Sequence, residues 1–471
     1  MAIARKIAYN VIFNVITKLI STVLALVGIG FITRYLGKEG FGDYSIVLAF
    51  FAFFGSVADL GLYAITAREI SRSGADEKKI LGNAFALRLC SSLLVFAVTP
   101  IIVFFLPYSN DVKIGILIAA ASFVFSSTYM VLNGVFQKNL AMDKVASAEV
   151  LGKFIQIAII ILAVRNDLGF ITIILSILFA MVFNFTAVLL MVSRYIPLRL
   201  SFDFSQWKKI LKESAPLGFS AIVVFIYFKV DTILLSVLKT SSEVGVYNAA
   251  YKVIENISFF PAMIMGLMFP MFSLHIFSDK KHFTHLANET FKVFFILVVP
   301  MIVGTLFLSE GIINLIGGAA FLEASNTLRI LIFALTFIFF GGFFNNILIA
   351  ANHQKKMLAA LTGCAIFNVS ANIIFIPIFS YTAAATISVL TEFFVALAGF
   401  ILTMKYVGYL PSLKNVPNIL LSGLIMAIFL FLFKNNSFFV LALGCSIVYV
   451  FALWITKTIT IKELASIFKQ K

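Results

Sequence analysis

Charged side chains interrupt the apolar stretches of this 471-residue chain, and they are its most chemically capable groups. A charge at the centre of a lipid bilayer costs about 3 kcal/mol on insertion scales. We therefore expect most of these groups to reach an interface, to pair with one another, or to line a water-filled cavity. The basic members are Lys18, Arg88, Lys153, Lys229, Lys252, Lys292 and Arg329, and the acidic members are Asp59, Glu149, Asp231, Glu255 and Glu392.

Two of the cations are candidates for direct contact with an anion. Asn10, Asn14 and Lys18 recur every four residues, which places them on one face of a helix. No acidic residue in the first half of the chain lies at the depth of Lys18, so we expect an exposed ammonium group in a lumen. Arg88 lies deep in a later apolar stretch, where anion binding and internal pairing are both open. Arginine offers a bidentate fork to phosphate oxygens, and lysine offers a movable point charge.

The charged groups of the second half have two interpretations that the sequence leaves open. Lys229 and Lys252 can contact a substrate, or they can form internal salt bridges with nearby acids. Lys153, Lys292 and Arg329 lie close to the ends of apolar stretches, where long side chains can reach the interface. The candidate groups for a polar cavity or for ion coupling are Asn10, Asn14, Asp231, Glu255, Asn368, Asn372 and Glu392.

The elements that position these groups are membrane-spanning helices. The chain is 61% hydrophobic and 12% charged, whereas a soluble domain has roughly 25% charged residues. About fourteen apolar stretches are long enough to cross a bilayer at ~20 residues each. They cover 8–33, 42–66, 81–106, 113–136, 148–165, 168–193, 213–237, 246–272, 289–309, 325–350, 357–377, 381–404, 417–434 and 437–456. We expect an all-α integral membrane protein, with neither a soluble catalytic domain nor a phosphate-binding loop of the ATPase type.

Lysine and arginine are unevenly distributed between the two sides that alternating spans define. With the N-terminus in the cytoplasm, most of them fall on the inner side, which agrees with the positive-inside rule. We therefore predict a multi-pass protein of the inner (plasma) membrane with both termini cytoplasmic. The net charge of +15 is then an orientation signal that faces anionic lipid, and no nucleic-acid partner is expected.

Metal sites and cofactors are not expected. Cys90, Cys364 and Cys445 each stand alone in an apolar run, and three of the four histidines share one polar loop. Two segments are typical of amphipathic helices that lie on a membrane. One is 204–213, where Phe204, Trp207 and Leu211 oppose a lysine-rich face, and the other is the C-terminal tail at 461–469.

An internal repeat relates the two halves of the chain. Gly42-Asp43-Tyr44 opens one predicted span and Gly245-Val246-Tyr247 opens another, while Met142-Asp143-Lys144 has a counterpart in His353-Gln354-Lys355. Six spans separate the copies, so both halves have the same orientation and are related by a pseudo-two-fold axis along the membrane normal. We predict a six-helix lobe at 1–200, a second at 201–405 with an interfacial amphipathic lead-in, and two extra helices with a cytoplasmic tail at 406–471.

Three stretches carry a resemblance to a known family. They are 34–44 (RYLGKEGFGDY) with 59–61 (DLG), 207–216 (WKKILKESAP), and 372–392 (NIIFIPIFSYTAAATISVLTE). The chain resembles the polysaccharide and O-antigen lipid-linked oligosaccharide flippases of the multidrug/oligosaccharidyl-lipid/polysaccharide exporter superfamily.

The resemblance implies two six-helix lobes around a V-shaped central cavity, with two further C-terminal helices. It also implies movement of a polyprenyl-diphosphate-linked oligosaccharide from the cytoplasmic to the outer leaflet by alternating access, with other polysaccharide assembly proteins as potential partners. In a cationic cavity of that kind, the candidates for binding the diphosphate are Lys18, Arg88, Lys229 and Lys252.

Other functions remain open at this stage. A cation-coupled drug antiporter of the same superfamily would favour an acidic cavity, whereas basic groups outnumber acidic groups within the spans. A membrane polymerase or ligase would need a long outer loop with its catalytic groups, and the predicted loop around residues 310–324 has no histidine, lysine or arginine. A non-transporting scaffold for glycan assembly is a further alternative. We expect a transporter and not an enzyme.

Overall fold

The computed structural model describes residues 2–59, 61–72 and 74–458, and the side chains of 9–10, 13–56, 61–63, 65–72, 74–215 and 218–458 among them. These residues form helices and connecting loops, as a bilayer requires of a chain whose backbone polar groups must bond internally. The helices of the described part are α1 Ala2–Asp59, α2 Leu62–Ile70, α3 Glu77–Phe104, α4 Asn110–Lys138, α5 Met142–Arg165, α6 Gly169–Val192, α7 Phe204–Leu238, α8 Ser241–Ile257, α9 Phe259–His275, α10 Lys280–Gly317, α11 Ala324–Ala350, α12 Gln354–Val407, α13 Val416–Leu432 and α14 Phe438–Ile455, with a 3₁₀ turn at Ala319–Phe321.

Eleven helical stretches among the described residues are long and apolar enough to cross a membrane. Two of the helices, α1 with 58 residues and α12 with 54, far exceed the ~20 residues of one crossing. Each is interrupted by a residue with positive φ, which is Gly37 (φ 67°) in α1 and Ser380 (φ 52°) in α12. The prediction of an all-helical membrane fold is confirmed, and its count of about fourteen spans is approximate.

The interruption at Ser380 folds α12 back on itself. Asn368 and Thr391 are joined by a side-chain hydrogen bond of 3.0 Å, although 23 residues separate them. Those residues would lie ~35 Å apart along a straight helix at 1.5 Å per residue. The α12 helix is therefore two antiparallel segments, as the two predicted spans at 357–377 and 381–404 require.

One predicted span boundary is wrong. The span predicted at 42–66 ends with α1 at Asp59, and Gly61 then takes up a left-handed conformation (φ 69°) before α2 begins at Leu62. A left-handed residue cannot continue a right-handed helix. The apolar run continues across this break, which is why hydropathy alone does not reveal it.

The helices group into two compact units, Met1–Asn248 and Ala249–Lys471. In the first unit, α3, α4, α5 and α6 enclose a core around Phe85, Leu132 and Phe136. In the second, α10, α13 and α14 enclose a core around Val299, Met426 and Leu453. The division of the chain into lobes at 1–200 and 201–405 and a C-terminal region at 406–471 stays a prediction.

The segment 204–213 is the first part of α7 and continues without a break into the apolar stretch Gly218–Leu238. Asp203 caps the helix by accepting hydrogen bonds from the backbone N–H groups of Ser205 (3.1 Å) and Gln206 (3.2 Å). Trp207 packs against a core formed by residues of α2, α3 and α7, so its ring contacts protein. The interfacial position of this segment stays a prediction, and the second predicted amphipathic segment, 461–469, lies outside the described residues.

Candidate functional site

Two of the three polar residues that recur every four positions at the start of α1, Asn10 and Asn14, form hydrogen bonds with backbone groups of the first unit. Asn10 is 8% exposed, donates to the carbonyl of Leu140 (2.8 Å) and accepts from the backbone N–H of Asp143 (3.2 Å). Asn14 donates to the Asn10 carbonyl at 2.8 Å. These contacts hold the loop between α4 and α5 against α1. They give both asparagines a structural role.

Lys18, the third of these polar residues, is exposed on the surface of α1. Its ammonium group interacts electrostatically with the carboxylate of Glu149 on α5. The expectation that Lys18 lacks an acid at its depth is therefore wrong. The sequence could not reveal this contact because α5 reaches α1 only through the packing of the first unit.

Arg88 lies in the interior of the first unit. Its side chain is 1% exposed, and its Nε donates to the carbonyl oxygen of Ser127 on α4 at 3.2 Å. The four preceding residues of α3, 84–87, are buried as well, and the guanidinium is enclosed by protein in this conformation. Of the four cations that the sequence proposes for anion binding, Arg88 is the most deeply enclosed.

Asp231 on α7 is 1% exposed and accepts a hydrogen bond from the hydroxyl of Tyr247, whose side chain is fully buried. Its other carboxylate oxygen accepts from the backbone N–H of Thr232 at 2.7 Å. Lys229 lies two residues earlier on the same helix and is half-buried. Tyr247 stands in the repeated glycine–x–tyrosine triplet, and this pattern is the signal in the sequence that could have pointed to it.

Lys252 and Glu255 pair with each other on α8. The ammonium nitrogen and Oε2 are 2.6 Å apart, and the side chains are 14% and 35% exposed. The salt-bridge interpretation therefore holds for this pair. The cations near span ends also have partners: Lys153 donates to the amide oxygen of Gln156 (2.9 Å), Lys292 pairs with Glu289 (3.6 Å), and Arg329 on α11 pairs with Glu310 on α10 (3.0 Å). The side chain of Asp59 is not among those that the structure describes.

A buried polar cluster joins the two segments of α12. The amide of Asn372 donates to the side-chain oxygen of Asn368 (3.0 Å), and the amide of Asn368 donates to the hydroxyl of Thr391 (3.0 Å). Both asparagines are fully buried, and Oδ1 of Asn372 has no hydrogen-bond partner among the described residues. Glu392, 6% exposed, follows Thr391 directly. The structure thus brings Asn368, Asn372 and Glu392 into one region, and it adds Thr391.

The repeated glycines Gly42 and Gly245 lie where α1 and α8 cross within the first unit. A Cβ atom added to Gly42 would lie 1.7 Å from the carbonyl oxygen of Ser241, and one added to Gly245 would lie 2.1 Å from that of Lys38. Real Cβ atoms do not come this close to backbone oxygens. Both positions therefore need glycine for the backbones to touch, which gives the sequence repeat a packing role.

Together these features define a class: an all-helical, multi-pass membrane protein with charged and amide groups inside its spanning segments. Within that class, the model of the family described as polysaccharide biosynthesis protein matches residues 7–275. The chain belongs to this family, and the resemblance found in the sequence is confirmed.

Two relatives align with most of the chain. The "Putative O-antigen transporter" of Shigella flexneri is 25% identical over 380 residues, which cover 76% of this chain and 87% of the relative. The "Probable low-salt glycan biosynthesis flippase Agl15" of Haloferax volcanii is 24% identical over 427 residues, or 88% of this chain and 86% of the relative.

Solved structures share the fold. A lipid II flippase MurJ in an inward closed conformation superimposes with a TM-score of 0.77 over 96% of this chain and 100% of that chain, at 19% identity. An inward-facing multidrug resistance transporter of the MATE family superimposes with a TM-score of 0.68 over 84% of this chain and 98% of that chain, at 15% identity. At such low identity these likenesses establish the fold alone.

Proposed function

We propose that the protein flips a polyprenyl-diphosphate-linked oligosaccharide from the cytoplasmic to the outer leaflet of the plasma membrane for surface polysaccharide biosynthesis. The observation that carries this proposal is membership of the polysaccharide biosynthesis family by a chain that has cations within its spanning helices. The names of the relatives, an O-antigen transporter and a glycan flippase, support the same substrate class.

The physical task is to move a charged headgroup through hydrocarbon, where each unsatisfied polar group costs several kcal/mol. A polar, basic lumen would replace the water around the sugar and the diphosphate, while the polyprenyl tail stays in lipid. Alternation between inward-open and outward-open states, by rocking of two lobes, would then carry the headgroup across. In this scheme both termini are cytoplasmic, the protein is a transporter and not an enzyme, and other assembly proteins supply and remove the lipid-linked glycan.

Among the proposed diphosphate ligands, Lys18 and Lys229 are the first candidates because their side chains are exposed and half-buried. Lys252 would have to exchange Glu255 for a phosphate oxygen. Arg88 would need a rearrangement of α3 against α4 before it could touch a substrate. The four cations are therefore expected to differ in effect, with Lys18 and Lys229 the most sensitive.

Ion coupling is proposed for the acidic and amide groups. The carboxyl of Glu392 is buried beside the cluster of Asn368, Asn372 and Thr391, and a buried carboxylate is stable only when it is protonated or neutralised by a cation. Asp231, fixed by Tyr247, is the corresponding candidate in the first unit. Asn10 and Asn14 keep a supporting role, because their amides already bond to backbone carbonyls.

The test is leaflet exchange in vesicles that contain the pure protein and a labelled polyprenyl-diphosphate sugar. We expect exchange with the unchanged protein and at least a tenfold slower rate in Lys18→Ala and Lys229→Ala, since loss of a contact to a charged group is worth about 1.5–3 kcal/mol. Lys113→Ala, which removes a half-buried lysine at the start of α4, is the matched control. Exchange that is unchanged in both lumenal variants would refute the site assignment.

A cation-coupled multidrug antiporter is the second candidate. The observation in its favour is the buried carboxyl of Glu392, since a titratable acid is what cation exchange requires. In the same vesicles, an antiporter would accumulate a cationic dye against a sodium or proton gradient and would leave the lipid-linked sugar where it was. Loss of gradient-driven transport in Glu392→Gln, with passive exchange retained, would assign coupling to this residue for either substrate.

A further inference from the structure

Three basic side chains converge on one tyrosine ring at the two ends of α12. The Nζ of Lys356 lies 3.1 Å from the centroid of the Tyr406 ring, and that of Lys405 lies 5.4 Å from it. The imidazole of His353 is 5.0 Å from the same centroid. Both lysines also interact with the phenol oxygen of Tyr406. Because α12 folds back at Ser380, its first and last turns lie side by side and bring these groups together.

Among the described residues, the positive charge of this group is not balanced by an ion pair. Within the part of the chain that the structure describes, no salt bridge joins Lys356 or Lys405 to a carboxylate. Lys355 is exposed next to Lys356, and the Nζ of Lys280 reaches Gly408 just beyond the end of α12. Like charges repel at this spacing, so the arrangement favours an anion that binds among them.

A related arrangement, with one lysine on a tyrosine ring, occurs in the first unit. The Nζ of Lys144, at the start of α5, donates to the hydroxyl of Tyr195 at 2.7 Å and lies 4.8 Å from its ring centroid. Arg194 precedes Tyr195 as Lys405 precedes Tyr406. Each hairpin thus combines a lysine from its first helix with a basic–tyrosine pair from the end of its second. Lys144 corresponds in the repeat to Lys355, so the lysine over the ring comes from neighbouring positions of the two first helices, whereas the basic–tyrosine pairs 194–195 and 405–406 are equivalent.

We propose that Lys356, Lys405 and Tyr406 form a binding site for the phosphate group of a membrane lipid. Tyrosine is enriched at the membrane–water interface, where lipid phosphates lie. Lysine ammonium groups are strong point-charge donors to phosphate, and the phenol hydroxyl adds one neutral donor. The ring holds the two ammonium groups over one spot and reduces the freedom that each would lose on binding. Lys144, Arg194 and Tyr195 form the counterpart in the first unit.

Two lipids carry this chemistry: an anionic phospholipid, and the diphosphate of a lipid-linked sugar. Both sites fall on the side that the lysine and arginine distribution predicts to be cytoplasmic. The inner leaflet is where anionic phospholipid is met, and it is also where a lipid-linked sugar would be loaded. Retention of lipid is measured without any transport step, so this proposal and the proposed flippase activity can fail independently.

The experiment is native mass spectrometry of the full chain in detergent with added phosphatidylglycerol, and with phosphatidylcholine for comparison. We expect selective retention of phosphatidylglycerol and a loss of about fivefold in its apparent affinity for each of Lys356→Gln and Lys405→Gln. Lys434→Gln is the matched control, because Lys434 also lies over an aromatic ring (5.7 Å from the Phe431 centroid) but on the opposite predicted side. Tyr406→Phe keeps the ring and isolates the contribution of the hydroxyl.

Competition then identifies the source of the phosphate. Displacement of phosphatidylglycerol by a short polyprenyl diphosphate at equal concentration would assign the site to the diphosphate lipid, and its failure to compete would assign the site to the phospholipid. Wild-type retention in the folded Lys356→Gln/Lys405→Gln protein would overturn the proposal. An equal loss in the Lys434→Gln control would also overturn it, since general charge would then explain retention. Lys144→Gln/Arg194→Gln tests the counterpart in the same way.

Discussion

Replacing Gly42 with alanine gives the sharpest test of the packing at the crossing of α1 and α8. The added Cβ would lie 1.7 Å from the carbonyl oxygen of Ser241 and 2.5 Å from its carbonyl carbon. A carbon and an oxygen in ordinary contact stand more than 3 Å apart, so the backbones must separate by more than 1 Å. The atom in the way belongs to the backbone, and no side-chain rotation can relieve the overlap.

The expected change in the free energy of unfolding follows from two opposing effects. Alanine is favoured over glycine within a helix by about 1 kcal/mol, whereas overpacking against a fixed neighbour costs typically 1–3 kcal/mol. At this degree of overlap the upper part of that range applies. We expect Gly42→Ala to lower the free energy of unfolding by about 1–2 kcal/mol net. Gly245→Ala, whose Cβ would lie 2.1 Å from the carbonyl oxygen of Lys38, should behave alike.

The assay is thermal unfolding of the purified protein in one detergent, followed by loss of monodispersity or by intrinsic fluorescence. Gly55→Ala is the control in the same helix, because a Cβ there meets nothing within 4 Å. We expect Gly55→Ala to be neutral or stabilised and Gly42→Ala to unfold at a lower temperature. If Gly42→Ala were as stable as Gly55→Ala, the backbone contact between α1 and α8 would not exist in the protein as purified.

Three further predictions concern single contacts. A double-mutant cycle on Lys252→Gln and Glu255→Gln should give a coupling energy of no more than about 1 kcal/mol, because the pair is partly exposed and lies three residues apart on one helix. Thr391→Val should destabilise the protein by about 1–3 kcal/mol in thermal or denaturant unfolding, since the buried amide of Asn368 loses its acceptor. The pKa of Asp203 lies below its ordinary value because Lys79 and the first N–H groups of α7 stabilise the carboxylate. This stabilisation is present at neutral pH and is lost as the pH falls below 3.8 through the folded-state pKa, so Asp203→Asn should abolish that part of the acid sensitivity.

Asp203 also illustrates what a local pattern can predict. An aspartate directly before an amphipathic run is a helix N-cap signal, and α7 begins at Phe204 as that signal indicates. Helical spacing predicts that Phe204, Trp207 and Leu211 share the apolar face of an amphipathic helix on the membrane. Trp207 instead enters a core made by α2 and α3, and no feature near Trp207 in the sequence indicates those partners.

The sequence by itself determined the membrane class, the helical fold and the family. Apolar stretches long enough to cross a bilayer must form helices, because in lipid the backbone N–H and C=O groups have to hydrogen-bond within the segment. The length and hydropathy of such a stretch depend only on consecutive residues, so the sequence shows them directly. It also located the repeat, because Gly42 and Gly245 are each followed two residues later by a tyrosine. Contacts within one turn, such as Lys252 with Glu255, followed from spacing alone.

Only the tertiary structure decided which charges have partners and what those partners are. Lys18 meets Glu149 and Arg88 meets the Ser127 carbonyl because separate helices pack at particular rotations, which hydropathy does not encode. Asn368 reaches Thr391 because one residue, Ser380, reverses the direction of α12. The rotation of each helix about its axis depends on how all the side chains of a unit fill the space between helices. A sequence pattern therefore shows on which face of a helix a charge lies, but it does not show what that face contacts.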